Sequence, residues 1–200
     1  LTDGRAPGTD SAGPPVAEPD DTLTSVNNLG GLLQDMGDLE GAEPLLRRTL
    51  EASERTLGPD HEDTLTSVNN LGGLLSNKGD YKGAEPLLRR ALEASERTLG
   101  PDHPHTLISV NNLGLLLSKM GDYEGAEPLQ RRALEASERT LGPDHEDTVV
   151  KLWGLATLLR DKGDHEGAEP LFRRELEACE RTKGPDHEDT LISVNNLGGL

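Results

Sequence analysis

The chain has 200 residues, and 37 acidic against 20 basic side chains give it a formal charge of −17. So acidic a surface repels phosphates and anionic headgroups, which makes nucleic acid and membrane surfaces poor partners and basic partners better ones. One cysteine, Cys179, excludes an intrachain disulfide and any metal site built from cysteines, and only four aromatic residues leave leucine and alanine to pack the core, which suits helices.

Residues 1–21 are rich in Pro, Gly and Asp and have neither a basic start nor an apolar run. They read as a linker or disordered segment and not as a secretory signal, and with the lone cysteine they point to a reducing, cytoplasmic setting. The chain does not begin with Met and stops inside a repeat, so it is expected to be a piece of a longer protein with further repeats or domains beside it.

From Thr22 onward the sequence repeats. Thr22, Thr64, Thr106, Thr148 and Thr190 open equivalent segments 42 residues apart, and residues 64–105 and 106–147 are identical at 34 of 42 positions. The units are 22–63, 64–105, 106–147, 148–189 and a partial 190–200. Each reads as two helices. In the second unit, Leu65, Val68, Leu71, Gly72 and Leu75 recur at three and four, predicting a helix over about 64–78. Gly79 is placed to end it and Asp80 to cap a second helix over about 81–99, with Ala84, Leu87, Leu88, Ala91 and Leu92 on one face. Glu85, Arg89, Glu93 and Arg97 follow four apart, a ladder repeated in every full unit. Pro86, like Pro44, Pro128 and Pro170, falls inside this helix and predicts a loosely formed start. Gly30, Gly72 and Gly114 fall where two helices would cross closely. A helix pair of this size cannot bury its apolar face alone, whereas stacked pairs can.

The pattern Val68-x2-Leu71-Gly72-x2-Leu75 followed by Ala84-x3-Leu88 resembles the tetratricopeptide repeat. The 42-residue length, "NNLG", "GDYxGAEPL" and "LGPDH" resemble in particular the repeats of kinesin light chain and similar proteins. The resemblance implies an all-α fold, a right-handed superhelical solenoid of antiparallel helix pairs, and a concave groove lined by the first helix of each unit that binds extended peptides. Val68 and Leu75 stand at the family's Trp and Tyr positions. Gln130 stands where Leu88 packs, and Thr49 and Glu175 where Ala91 packs, so those interfaces should be softer.

The resemblance places Asn27/Asn28, Asn69/Asn70, Asn111/Asn112 and Asn195/Asn196 at or beside the groove, with Trp153-Gly154 in the fourth unit. An amide carries donors and an acceptor and can match a peptide backbone. The same amides could instead bridge adjacent helices, and Trp153 could hold a ligand side chain or simply pack. Thr66, Ile108, Val150, Ser76, Ser118, Lys119 and Arg160 would supply selectivity.

"DHED" at 60–63, 144–147 and 186–189 suggests a metal site, but acids in such a turn serve mainly as caps. Cys179 aligns with Ser95 and Ser137 and reads as a surface position. No nucleophile–base pair repeats with a supporting acid, so neither catalysis nor a cofactor or metal is expected. The expected role is a scaffold that binds a protein or peptide partner. The alternatives are a spacer that positions flanking domains and, on the resemblance alone, a fragment of a kinesin cargo adaptor.

Overall fold

The structure, a computed structural model, describes residues 20–199. Residues 1–19 of the expected linker lie outside the described residues, while Asp20 and Asp21 already belong to the first helix. Among the described residues there are nine α-helices and no strand: α1 Asp20–Asp35, α2 Leu39–Thr56, α3 Glu62–Asn77, α4 Tyr81–Thr98, α5 Pro104–Met120, α6 Tyr123–Leu141, α7 Glu146–Lys162, α8 His165–Lys183 and α9 Glu188–Gly198. They form four pairs and the first helix of a fifth. Each helix packs on the one before and the one after. First helices also touch one another (α1 on α3, α3 on α5), whereas among the described residues second helices make no comparable contact, so the first helices line the inner side of the stack. This is the solenoid implied by the sequence.

The helix starts are chemically fixed. Asp38, Asp80, Asp122 and Asp164 cap the second helices, each carboxylate accepting from the backbone N–H of the glycine three residues on at 2.9–3.0 Å. A side chain on Gly83 would run into the Asp80 carboxylate, so the "GAEP" glycine is the space that this cap needs. With its first turn tied down, α4 runs unbroken through Pro86 instead of starting loosely. The first helices start differently from expectation. The cap is the histidine of "DHED", not an acid: His61 Nδ1 accepts from Asp63 N–H at 3.2 Å, and His103, His145 and His187 repeat it. Pro104 opens α5 in the first turn, where a missing N–H is harmless. Gly79, at φ +80°, ends α3 in a left-handed conformation that other side chains resist.

The core is a continuous column of leucine and alanine with one aromatic ring: Leu46, Leu50, Val68, Leu71, Leu88, Leu116, Leu155 and Phe172 are among its members. Gly72 is where α3 crosses α4: a methyl group there would lie 2.6 Å from Leu88 Cδ2. Gly30 meets Leu46 in the same way. The soft positions are buried as expected. Gln130 Nε2 donates to Ser118 Oγ at 2.8 Å, but its oxygen is buried with no partner.

The expected ladder of charges is only half intrahelical. Glu43–Arg47, Glu85–Arg89, Glu127–Arg131 and Glu169–Arg173 pair one turn apart. The last-turn arginines reach back to the preceding unit: Arg97 to Asp60 at 2.6 Å, Arg139 to Asp102 at 2.8 Å and Arg181 to Asp144 at 2.6 Å, with Arg181 also keeping its ladder partner Glu177 at 3.9 Å. Arg90, Arg132 and Arg174 bridge to Glu54, Glu96 and Glu138 of the preceding unit. The "GPDH" aspartate is thus half of an ion pair between units, a role that its turn position does not reveal.

Candidate functional site

The helical turn gives the two asparagines of a pair different surroundings, most clearly in the second unit, where Asn69 is buried and Asn70 half-buried. The second asparagine lies toward the inner surface. There a cavity of about 310 Å³ spans α1, α3 and α5, lined by Gln34, Asn69, Asn70, Asn77, Ser76 and Asn112 among others. Asn70 and Asn112 are half-buried, and Asn70 donates to Asn27 Oδ1 at 3.2 Å, so amides of neighbouring units lie in hydrogen-bonding reach. Gly31 and Gly73 line the wall with no side chain, whereas Leu115, at the equivalent position of the third unit, is 44 % exposed and makes that end apolar. Asn77 also accepts a hydrogen bond from Lys119 Nζ at 3.2 Å. Gln34, Asn77, Gly73 and Leu115 were not singled out from the sequence. Gly73, Asn77 and Leu115 follow the second asparagine on one helix face, three or seven residues on, and that spacing carried the signal; Gln34, six after Asn28, had none.

The first asparagine behaves otherwise. Asn69 is 3 % exposed, its Nδ2 donates to Ser109 Oγ at 2.8 Å, and its own oxygen is buried without a partner. It is a bridge between α3 and α5. Asn27 and Asn111 are half-buried and line separate slots, Asn27 together with the exposed Asn28 in the first unit. Trp153, 45 % exposed, occupies the same position in the fourth unit and lines the equivalent slot there, away from the inner cavity. Asn195 is exposed and Asn196 half-buried near the end of α9.

The expected selectivity residues are scattered. Thr66 and Ile108 border the outer slots of the first and third units, and Val150 that of the fourth. Ser76 is buried in the inner wall, and Ser118 is taken up by Gln130. Arg160 pairs with Asp161 and lies over the Phe172 ring at 5.8 Å.

Cys179 corrects the sequence reading: it is buried, as are Ser95 and Ser137. This face of the second helix packs against the next unit, so a small side chain is needed, and burial pushes the thiol pKa up. Burial likewise raises the Glu175 carboxyl, against which the hydrogen bond from Ser193 Oγ at 2.6 Å acts. Outside the core the shifts run the other way: the Lys78 hydrogen bond lowers Glu43, and the Lys162 hydrogen bond lowers Glu127. Among the described residues no group of His, Cys, Asp or Glu is arranged to hold a metal, and no helix is long and apolar enough to cross a membrane.

A tetratricopeptide repeat family model matches residues 21–93, 66–139, 108–150 and 147–200. No curated protein sequence matches the chain significantly. Among solved structures, a protein of Podosopora anserina, described as a kinesin light chain with nearly identical TPR-like repeats, is similar at 23 % identity and TM-score 0.80, over 89 % of this chain and 84 % of that one. A singly substituted form of that protein gives a TM-score of 0.79 at the same identity and coverage. BtubC (BKLC) from P. vanneervenii is similar at 22 % identity and TM-score 0.75, over 90 % of this chain and 71 % of that one. At such identities the structures bear on the fold alone. Together with a family model that spans every unit, the stacked helix pairs lead to one conclusion: the chain belongs to the tetratricopeptide repeat family.

Proposed function

We propose that the solenoid is a scaffold that binds an extended segment of a partner protein along its inner face, with Asn70 and Asn112 reading the segment's backbone. Tetratricopeptide repeats mediate protein–protein interaction in general, and the finer reading rests on one observation. The cavity across α1, α3 and α5 is walled by side-chain amides from three successive units. Each amide offers donors and an acceptor, and a net hydrogen bond is worth about 0.5–1.5 kcal/mol. A few such bonds, less ordering costs, support affinities on the order of micromolar.

The test is selection of peptides from a displayed random library against residues 22–200, followed by calorimetry. Asn70→Ala with Asn112→Ala should weaken the selected peptides about tenfold or more without lowering the melting temperature. Asn69→Ala should lower the melting temperature, because it leaves the α3–α5 bridge unmade. Peptides indifferent to Asn70 and Asn112, or none selected at all, would overturn the reading and leave the spacer role in its place.

A further inference from the structure

The repeats are internal controls for one another, and one slot departs from the rest. Apart from the inner cavity, the first, third and fourth units each have a slot between their two helices and the next first helix. In the third unit it measures about 250 Å³ and is lined by Pro104, Ile108, Asn111, Ala133, Ser137 and Leu141 among others. In the fourth unit it measures about 420 Å³. There Trp153 stands for Asn111, Glu175 for Ala133, Cys179 for Ser137 and Lys183 for Leu141, while Glu146 keeps the residue that Glu62 and Glu188 share and Pro104 replaces. The third and fourth units differ at 16 of 42 positions, and six of those changes, these four among them, line this one cavity.

Glu175 is the position without a structural explanation. It is 6 % exposed. Its Oε1 accepts from Ser193 Oγ at 2.6 Å, while Oε2 is buried with no hydrogen-bond partner. Ser193 has a second acceptor in the Asp189 carbonyl at 2.9 Å, so it does not need the carboxylate. A buried unpaired carboxylate oxygen destabilises the fold, and the alanine at the same place in units two and three avoids this. The slot is lined by four carboxylates (Asp144, Glu146, Glu175, Asp189) and a single ammonium, that of Lys183, which already serves Asp189 at 2.5 Å and Glu146 at 3.7 Å. Arg181 pairs with Asp144 from the slot's edge. Val149, Val150, Ile192 and Trp153 provide an apolar wall.

We propose that the slot bounded by α7, α8 and α9 receives an arginine side chain of a partner protein, with its guanidinium at the free Oε2 of Glu175 and Trp153 as its wall. Guanidinium is weakly hydrated, donates in a planar fork to carboxylates and stacks on aromatic faces, so it suits a half-apolar acidic slot better than ammonium does. The slot and the inner cavity are separate, so this site stands whether or not the inner face binds a peptide.

Trp153 is the chain's sole tryptophan and reports directly on the slot. Its fluorescence is titrated with N-acetyl-arginine amide, and with N-acetyl-lysine amide and N-acetyl-norleucine amide as controls. Arginine amide should give a saturable change, at least three-fold tighter than lysine amide and ten-fold tighter than norleucine amide. Glu175→Ala should weaken arginine amide at least ten-fold with no loss of melting temperature, and Asn70→Ala with Asn112→Ala should leave it unchanged. A response that does not saturate, equal responses to arginine and norleucine amides, or full retention in Glu175→Ala would overturn the proposal.

Discussion

Gly72 and Gly73 are adjacent in α3, yet alanine should act on them with opposite sign. A methyl group on Gly72 would lie 2.6 Å from Leu88 Cδ2 and 2.8 Å from Cγ. Carbon atoms pack at roughly 3.5–4.0 Å, so the overlap is about 1 Å. Leu88 is fully buried and the overlap reaches its branch point, so rotating its tip gives no relief. Overpacking costs about 1–3 kcal/mol, here toward the upper end, against about 1 kcal/mol gained in helix propensity. Gly72→Ala should therefore lose about 2 kcal/mol. A methyl group on Gly73 meets nothing within 4 Å, so Gly73→Ala keeps the propensity gain of about 0.5–1 kcal/mol. Urea unfolding followed by circular dichroism separates them, with midpoints moving in opposite directions. If both variants shift the same way, close approach is not why Gly72 is glycine.

Further outcomes follow from the buried polar groups and the contacts between units. Glu175→Ala should raise stability at neutral pH by about 1–3 kcal/mol, since it removes an unsatisfied buried acid. The Glu175 carboxyl is raised in the folded state, so it disfavours folding above its ordinary range, and the advantage of Glu175→Ala should shrink as pH falls toward about 4, where the carboxyl takes up its proton whether the chain is folded or not. Thermal melts from pH 7 to about 3.5 check this, and a gap that widens in acid would contradict it. Gln130→Leu, which restores the residue of the second unit, should stabilise by about 1–3 kcal/mol in urea titrations because it removes a buried unpaired oxygen. The Arg97–Asp60 pair is exposed, so a double-mutant cycle should give a coupling of about 0.2–1 kcal/mol, and a value above about 2 kcal/mol would mean that the pair is more shielded than its accessibility indicates.

Helix pairs, their capping aspartates and the crossing glycines were legible because they obey local rules repeated every 42 residues. Gly72 showed itself as a glycine inside an apolar face, a place that only close packing explains. What the sequence hid depends on neighbours in the next unit. Asp60 and Arg97 are far apart in the chain, and neither shows that the other is its partner. Cys179 reads as a surface position because it aligns with Ser95 and Ser137; only stacking decides that the face all three share is covered. The asparagines divide for the same reason: one step of about 100° buries Asn69 against Ser109 of the next unit and turns Asn70 toward Asn27 of the preceding one, and the letters "NN" carry no sign of which does which. His61 as a cap was missed because acids flank it and are commoner caps.

Each pair of helices leans only on its immediate neighbours, and among the described residues no helix packs on a distant unit. A small rotation at one junction therefore carries everything beyond it through the same angle, and such rotations add from end to end. Tension on the ends can lengthen the molecule as it does a coiled spring, widening or narrowing the pitch while every leucine stays in its own nest.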